Sequence, residues 1–156
     1  MRNRLLSALA ICLLTGGAWA GEIIQVKPLD FGVVALRNND NIYNYQINPD
    51  GSRKYDPNIV VIEQGHPAEF LLSGFQAGSY LHITTSLPES ANSLSHGGNA
   101  GSRFTIKQLN VKPWVRTNAK GEARVWVGAT LATSGEGHYL DAKYDNPHIT
   151  LQITHQ

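Results

Sequence analysis

Six histidines and three scattered glutamates are the side chains with the most chemistry to offer: His66, His82, His96, His138, His148 and His155, with Glu63, Glu69 and Glu136. A metal centre needs several ligands converging on one point, and zinc sites announce themselves by short, regular ligand spacings. None is present here. His148 and His155 are seven residues apart, so on a straight strand they face opposite sides. The histidines read as surface or loop residues, and no metal or other cofactor is expected. Glu63, Glu69 and Glu136 could pair in space, which the sequence does not show. No Gly-x-Ser-x-Gly elbow, His-Glu-x-x-His helix or phosphate-binding glycine loop occurs. The expectation is a protein without catalytic residues.

Aromatic side chains are the other resource. Trp114 and Trp126, with Tyr43, Tyr45, Tyr80, Tyr139 and Tyr144, are candidates for a sugar-binding face. Trp126 with Tyr43 and Tyr45 is the set singled out, because Trp126 lies opposite the apolar residues of its strand. Aromatics also serve as cross-strand pairs and core filler.

The elements that position these residues read as β throughout. Leu29 to Leu36 is a strand ended by the turn-forming run Asn38-Asn39-Asp40-Asn41. Tyr43, Tyr45 and Ile47 share one face of the next, closed by Asn48-Pro49-Asp50-Gly51. Ile59 to Ile62 is a continuous apolar run, as expected of a strand covered on both faces. Leu81 and Ile83 share a face, as do Phe104 and Ile106. Pro88 to Ser102, rich in Ser, Asn and Gly, reads as the longest loop and as mobile. Ala123, Val125, Val127, Ala129 and Leu131 alternate with Arg124, Trp126 and Thr130. The last alternating run is His148 to His155. No stretch of ten residues after the amino-terminal segment carries a helical apolar stripe. Short strands between regular turn signals indicate a sandwich or barrel.

The chain opens like an exported protein. Arg2 and Arg4 precede the apolar run Leu5 to Leu14, and Ala18-Trp19-Ala20 is a small-x-small cleavage site. Residues 1–20 are therefore expected to be a cleaved signal peptide, and 21–156 a single domain. The only cysteine, Cys12, leaves with the signal, so stability must come from packing and hydrogen bonds. Losing Arg2 and Arg4 turns a formal charge of +1 into about −1, without clustered Lys/Arg. That argues against nucleic acid as a partner. No later run is long enough to span a membrane.

Four local patterns carry a resemblance: Leu29-Asp30-Phe31-Gly32, Asn48-Pro49-Asp50-Gly51, Val127-Gly128-Ala129-Thr130-Leu131, and Gly137-His138-Tyr139 followed by Ile149-Thr150-Leu151-Gln152-Ile153. In this order they resemble the bacterial exported family catalogued as domain of unknown function 4402. That family is in turn similar to chaperone–usher pilin subunits of the spore-coat-U kind. The resemblance implies an all-β, immunoglobulin-like antiparallel sandwich of about seven to nine strands that lacks a strand supplied in trans. It implies an exported structural subunit in the periplasm, on the cell surface or in a fimbrium. Its partners would be other copies, related subunits, and a periplasmic chaperone and usher. Ile149, Leu151 and Ile153 would wall the groove or core, and Ile24 and Val26 would be donor or first-strand anchors. Only Gly21 to Pro28 precedes the Leu-Asp-Phe-Gly motif, which is short for a donor. The alternative is a self-contained secreted sandwich that binds a glycan or protein ligand.

Overall fold

The computed structural model describes residues 21–87, 93–94, 103–139 and 150–155. Twelve antiparallel strand segments make up the described chain: β1 (Glu22–Lys27), β2 (Asp30–Leu36), β3 (Asn44–Ile47), β4 (Arg53–Tyr55), β5 (Ile59–His66), β6 (Ala68–Ser73), β7 (Tyr80–Ser86), β8 (Ser93–Leu94), β9 (Phe104–Val111), β10 (Trp114–Arg116), β11 (Ala123–Ala132) and β12 (Thr150–His155). The number exceeds seven to nine because long runs are broken. Pro113 splits β9 from β10, since proline cannot donate to a ladder. The two-residue β8, paired with β9, falls inside the segment read as one long loop.

β11 organises the first layer. Val127 pairs with both Ala68 of β6 and Val111 of β9, so those strands flank β11 on opposite sides. β3 follows β6 along the same side, with Ala129 opposite Ile47. β1 lies outside β6, and β4 outside β3. The second layer is in two pieces, β2–β5 and β10–β7–β12.

The alternation predicted for β11 is observed: Val125, Val127, Ala129 and Leu131 are buried, while Arg124 and Trp126 are exposed. Beneath β2–β5, Phe31, Tyr45, Ile47 and Ile59 pack with Phe104, Ile106 and Leu131. Beneath β10–β7–β12, Phe70, Leu72, Leu81 and Ile83 pack with Val125 and Val127. Each wholly buried Leu or Ile contributes about 1.5–3 kcal/mol. Leu29 and Leu109 touch both halves and join them.

Ile59 to Ile62 is covered on one face only. Ile59 is buried and Val61 half-buried, whereas Val60 and Ile62 are 39% and 63% exposed. With β2 they form a two-stranded ribbon, and no third layer lies over its outer side among the described residues. A continuous apolar run therefore did not require burial on both faces.

Candidate functional site

The Leu-Asp-Phe-Gly motif builds the corner at which the second layer begins. The Gly32 N–H donates to Asp30 Oδ1 at 2.8 Å, Phe31 enters the core, and Gly32 adopts a φ of 75°. Opposite stands Gly65, where a Cβ would lie 2.0 Å from the Asp30 carbonyl oxygen. Two facing glycines thus let β2 and β5 approach closer than any side chain permits. This close crossing sits beside a register shift between Val33 and Val34.

The other motif residues also close corners. The Tyr139 hydroxyl donates to the Arg103 carbonyl at 2.8 Å, accepts the Ser134 N–H at 2.8 Å, and its ring stacks on Phe104 at 4.3 Å. The Gly51 N–H donates to the Asn48 carbonyl at 2.9 Å. Gly128, on the outer face of β11, lies under the end of β3, where a Cβ would meet the Ile47 carbonyl oxygen at 2.1 Å. These patterns are turn and crossing chemistry. They form no catalytic cluster, and no group of three or more potential metal ligands occurs among the described residues.

The interrupted second layer is the most unusual feature. β5 runs by the β3–β4 margin, where Arg53 donates to the Gly65 carbonyl. β10 continues β9 at the opposite margin. β2 and β12 are therefore the inner edges of the two pieces. Neither has a ladder partner on that inner side among the described residues. Of the residues assigned to this wall, Ile153 is half-buried opposite Ile83 and packs on the second half of the core. Leu151 lies in β12 opposite Thr85, its side chain outside the described set. Ile149 lies outside the described residues.

β1 pairs with β6 through its main chain, yet all six of its residues are exposed. Register places Ile23 and Gln25 on the core side, opposite Leu72 and Phe70, and Ile24 on the outer side, opposite Leu71. Ile24 and Val26 are 41% and 44% exposed, so they do not anchor a first strand in their own domain. The alternation of Ile24 with Val26 was legible, but not which face would be covered. Among the described residues the second layer does not extend over β1, so neither face is.

The aromatic set Trp126, Tyr43 and Tyr45 does not form a face. Tyr43 and Tyr45 are 9% and 1% exposed and belong to the core, on the same side of β3 as Ile47. Trp126 is exposed on the far side of that sheet, opposite Glu69 in register. Glu69 also pairs with Arg124. The period shared by Tyr43, Tyr45 and Ile47 sets them on one face, and the strands β2–β5 lying across from that face make it core. At the surface, Trp114 packs on the His82 ring and Tyr80 shares their side, on the outer face of β7–β10.

Burial pushes the Tyr45 phenol above its ordinary value, and the charge of Arg53 pulls it partly back. The two groups do not meet hydrogen-bond geometry, and the Tyr45 hydroxyl is buried without a partner. Tyr43 is also raised, first because its hydroxyl donates to Asp40 and then by burial.

Neither a curated protein nor a solved structure matches the chain. The family model described as "Domain of unknown function (DUF4402)" matches residues 22–144, from the first residue of β1 past the Tyr139 corner. That match spans most of the all-β chain, and the chain belongs to the DUF4402 family.

Proposed function

We propose that this protein is an exported, non-catalytic structural subunit of a fimbria-like or other surface assembly, held by β-strand complementation. The observation that carries the reading is the interrupted second layer. Half-buried apolar side chains stand on both inner edges, Val34 and Leu36 on β2 and Ile153 on β12. A strand added between these edges would gain main-chain hydrogen bonds from the backbone and affinity from alternate side chains. The segment Glu22–Lys27 suits that role in a second copy, because its place on β6 buries none of its side chains. Other copies or related subunits, a periplasmic chaperone and an usher are the partners of this reading. Periplasm, cell surface or fimbrium is its location.

The self-contained alternative has one observation in its favour: β1 already pairs with β6 of its own chain. Light scattering and thermal melts of the chain purified after export separate the two. Complementation predicts self-association, or a melt raised by a peptide copying residues 21–30. A monomer whose melt ignores that peptide returns the protein to the self-contained reading.

A further inference from the structure

We infer that the outer face of β7–β10 is a binding site for a carboxylate-bearing saccharide. The argument rests on four side chains in two cross-strand pairs. Trp114 stands opposite His82, and Arg116 opposite Tyr80. Side chains two residues apart on a strand share a face, so Trp114, Arg116, Tyr80 and His82 all point outward. Leu81 and Ile83, between and beyond them, point into the core.

The rings are presented to solvent, not used as filler. Trp114 is 45% exposed and Tyr80 57% exposed. The indole rests on the His82 ring, with centroids 4.6 Å apart and planes inclined by 47°. That contact supports one side of the tryptophan and leaves area free on the other. An exposed, propped indole on a flat sheet is a platform for the C–H face of a sugar ring, which excludes water without needing a deep cleft.

The charge selects among sugars. The Arg116 Nε–H donates to the Gly78 carbonyl at 3.1 Å, and its guanidinium carbon lies 5.7 Å from the centroid of Tyr80. These contacts orient the guanidinium over the sheet. Its two terminal nitrogens have no acceptor among the described residues, and a fixed fork with two free donors matches a carboxylate. None of the residues of β7, β10 or β12 is Asp or Glu, so no carboxylate on these strands competes. Glu122, in the neighbouring turn, accepts from the Asn118 amide at 3.3 Å. Beside Arg116 the surface falls into an open hollow of about 500 Å³ between Ala77–Gly78 and Thr117–Ala119. Trp114 and Arg116 are two residues apart on one strand, about 7 Å. That is roughly the span of one sugar ring stacked on the indole with its acid group at the guanidinium. The site lies on the outer face of β7–β10, one strand in from the β12 edge, and stands whether or not copies exchange strands.

The test titrates the full exported chain with 3′-sialyllactose and a hyaluronan tetrasaccharide, using lactose as the neutral control, by tryptophan fluorescence and calorimetry. Saturable binding of either acidic sugar near or below about 1 mM is expected, with lactose at least tenfold weaker. Arg116→Gln should remove the preference for acid over neutral sugar. Trp114→Ala should abolish binding of all three, and Trp114→Phe should restore part of it. Both positions are exposed, so thermal melts should match the unaltered chain and separate lost binding from lost fold. Absence of saturable binding to both acidic sugars overturns the proposal. So does binding that survives Trp114→Ala, or equal affinity for free acetate, which would make the site one for anions alone.

Discussion

Replacing Ile24 and Val26 together by aspartate separates what β1 does for its own domain from what it would do for another. In the isolated chain both residues are more than 40% exposed and no second-layer strand among the described residues covers them. The loss is then limited to strand preference and partial contact on an edge, about 1–2 kcal/mol for the pair. Leu72→Ala, at a wholly buried position of the neighbouring β6, is the internal standard, and should cost about 2–5 kcal/mol. In the proposed assembly the same two positions would enter an apolar groove. Completing their burial would contribute about 1–2.5 kcal/mol, scaling the value for full burial by the exposed fraction. Two carboxylates forced into that groove would cost several kcal/mol more. The double variant should therefore fold nearly normally, while association weakens by at least about 1000-fold. Urea melts at one protein concentration give the first quantity, and light scattering across a dilution series gives the second. A loss of stability equal to that of Leu72→Ala would refute the inference that exposure makes β1 dispensable. Undiminished association would refute the role of β1 as a donor.

Three further outcomes follow from the packing. Gly65→Ala should destabilise by about 3 kcal/mol or more in a urea melt, because its Cβ would collide with the Asp30 carbonyl oxygen at 2.0 Å and backbone cannot swing aside. Tyr45→Phe should leave stability unchanged or raise it by about 1 kcal/mol in the same melt, since it removes a buried hydroxyl that has no partner. Tyr43 should ionise above its ordinary value of 10.0 in an ultraviolet pH titration, and Asp40→Asn should bring it back toward that value. A raised pKa stabilises the protonated form in the fold, so this contribution is complete below pH 10 and is lost as pH rises through the folded value.

Alternation was the legible signal. It assigned the buried face of β11 from Ala123 to Leu131 and the exposed Arg124 and Trp126, though not the buried Gly128 and Ala132 of the other face, and it put Tyr45 and Ile47 of β3 on one side with the preceding Tyr43. The same signal could not say whether a shared face is core or surface, because that depends on which strands lie across from it. Hence Tyr43 and Tyr45, which suggest a binding face, are core, and Val60 and Ile62, which suggest a strand covered on both faces, are exposed. The Leu-Asp-Phe-Gly motif was visible as a pattern, but its cause was not. Gly65, the second half of the close crossing, lies more than thirty residues away in the sequence and becomes its partner only through the β2–β5 register. The pairing of Trp114 and Arg116 with His82 and Tyr80 was hidden for the same reason, as it links strands on either side of residues 87–103.

At Pro113 the backbone leaves β9 in one layer and enters β10 in the other, and the proline carbonyl accepts the Ile83 N–H at 2.8 Å. Prising the layers apart thus means breaking the β9 and β10 ladders together, since one short crossover is hydrogen-bonded into both. Amide protons of β7 and β11 should accordingly exchange in one slow class, with the rate set by melting of the entire body, while those of β1 exchange ahead of them.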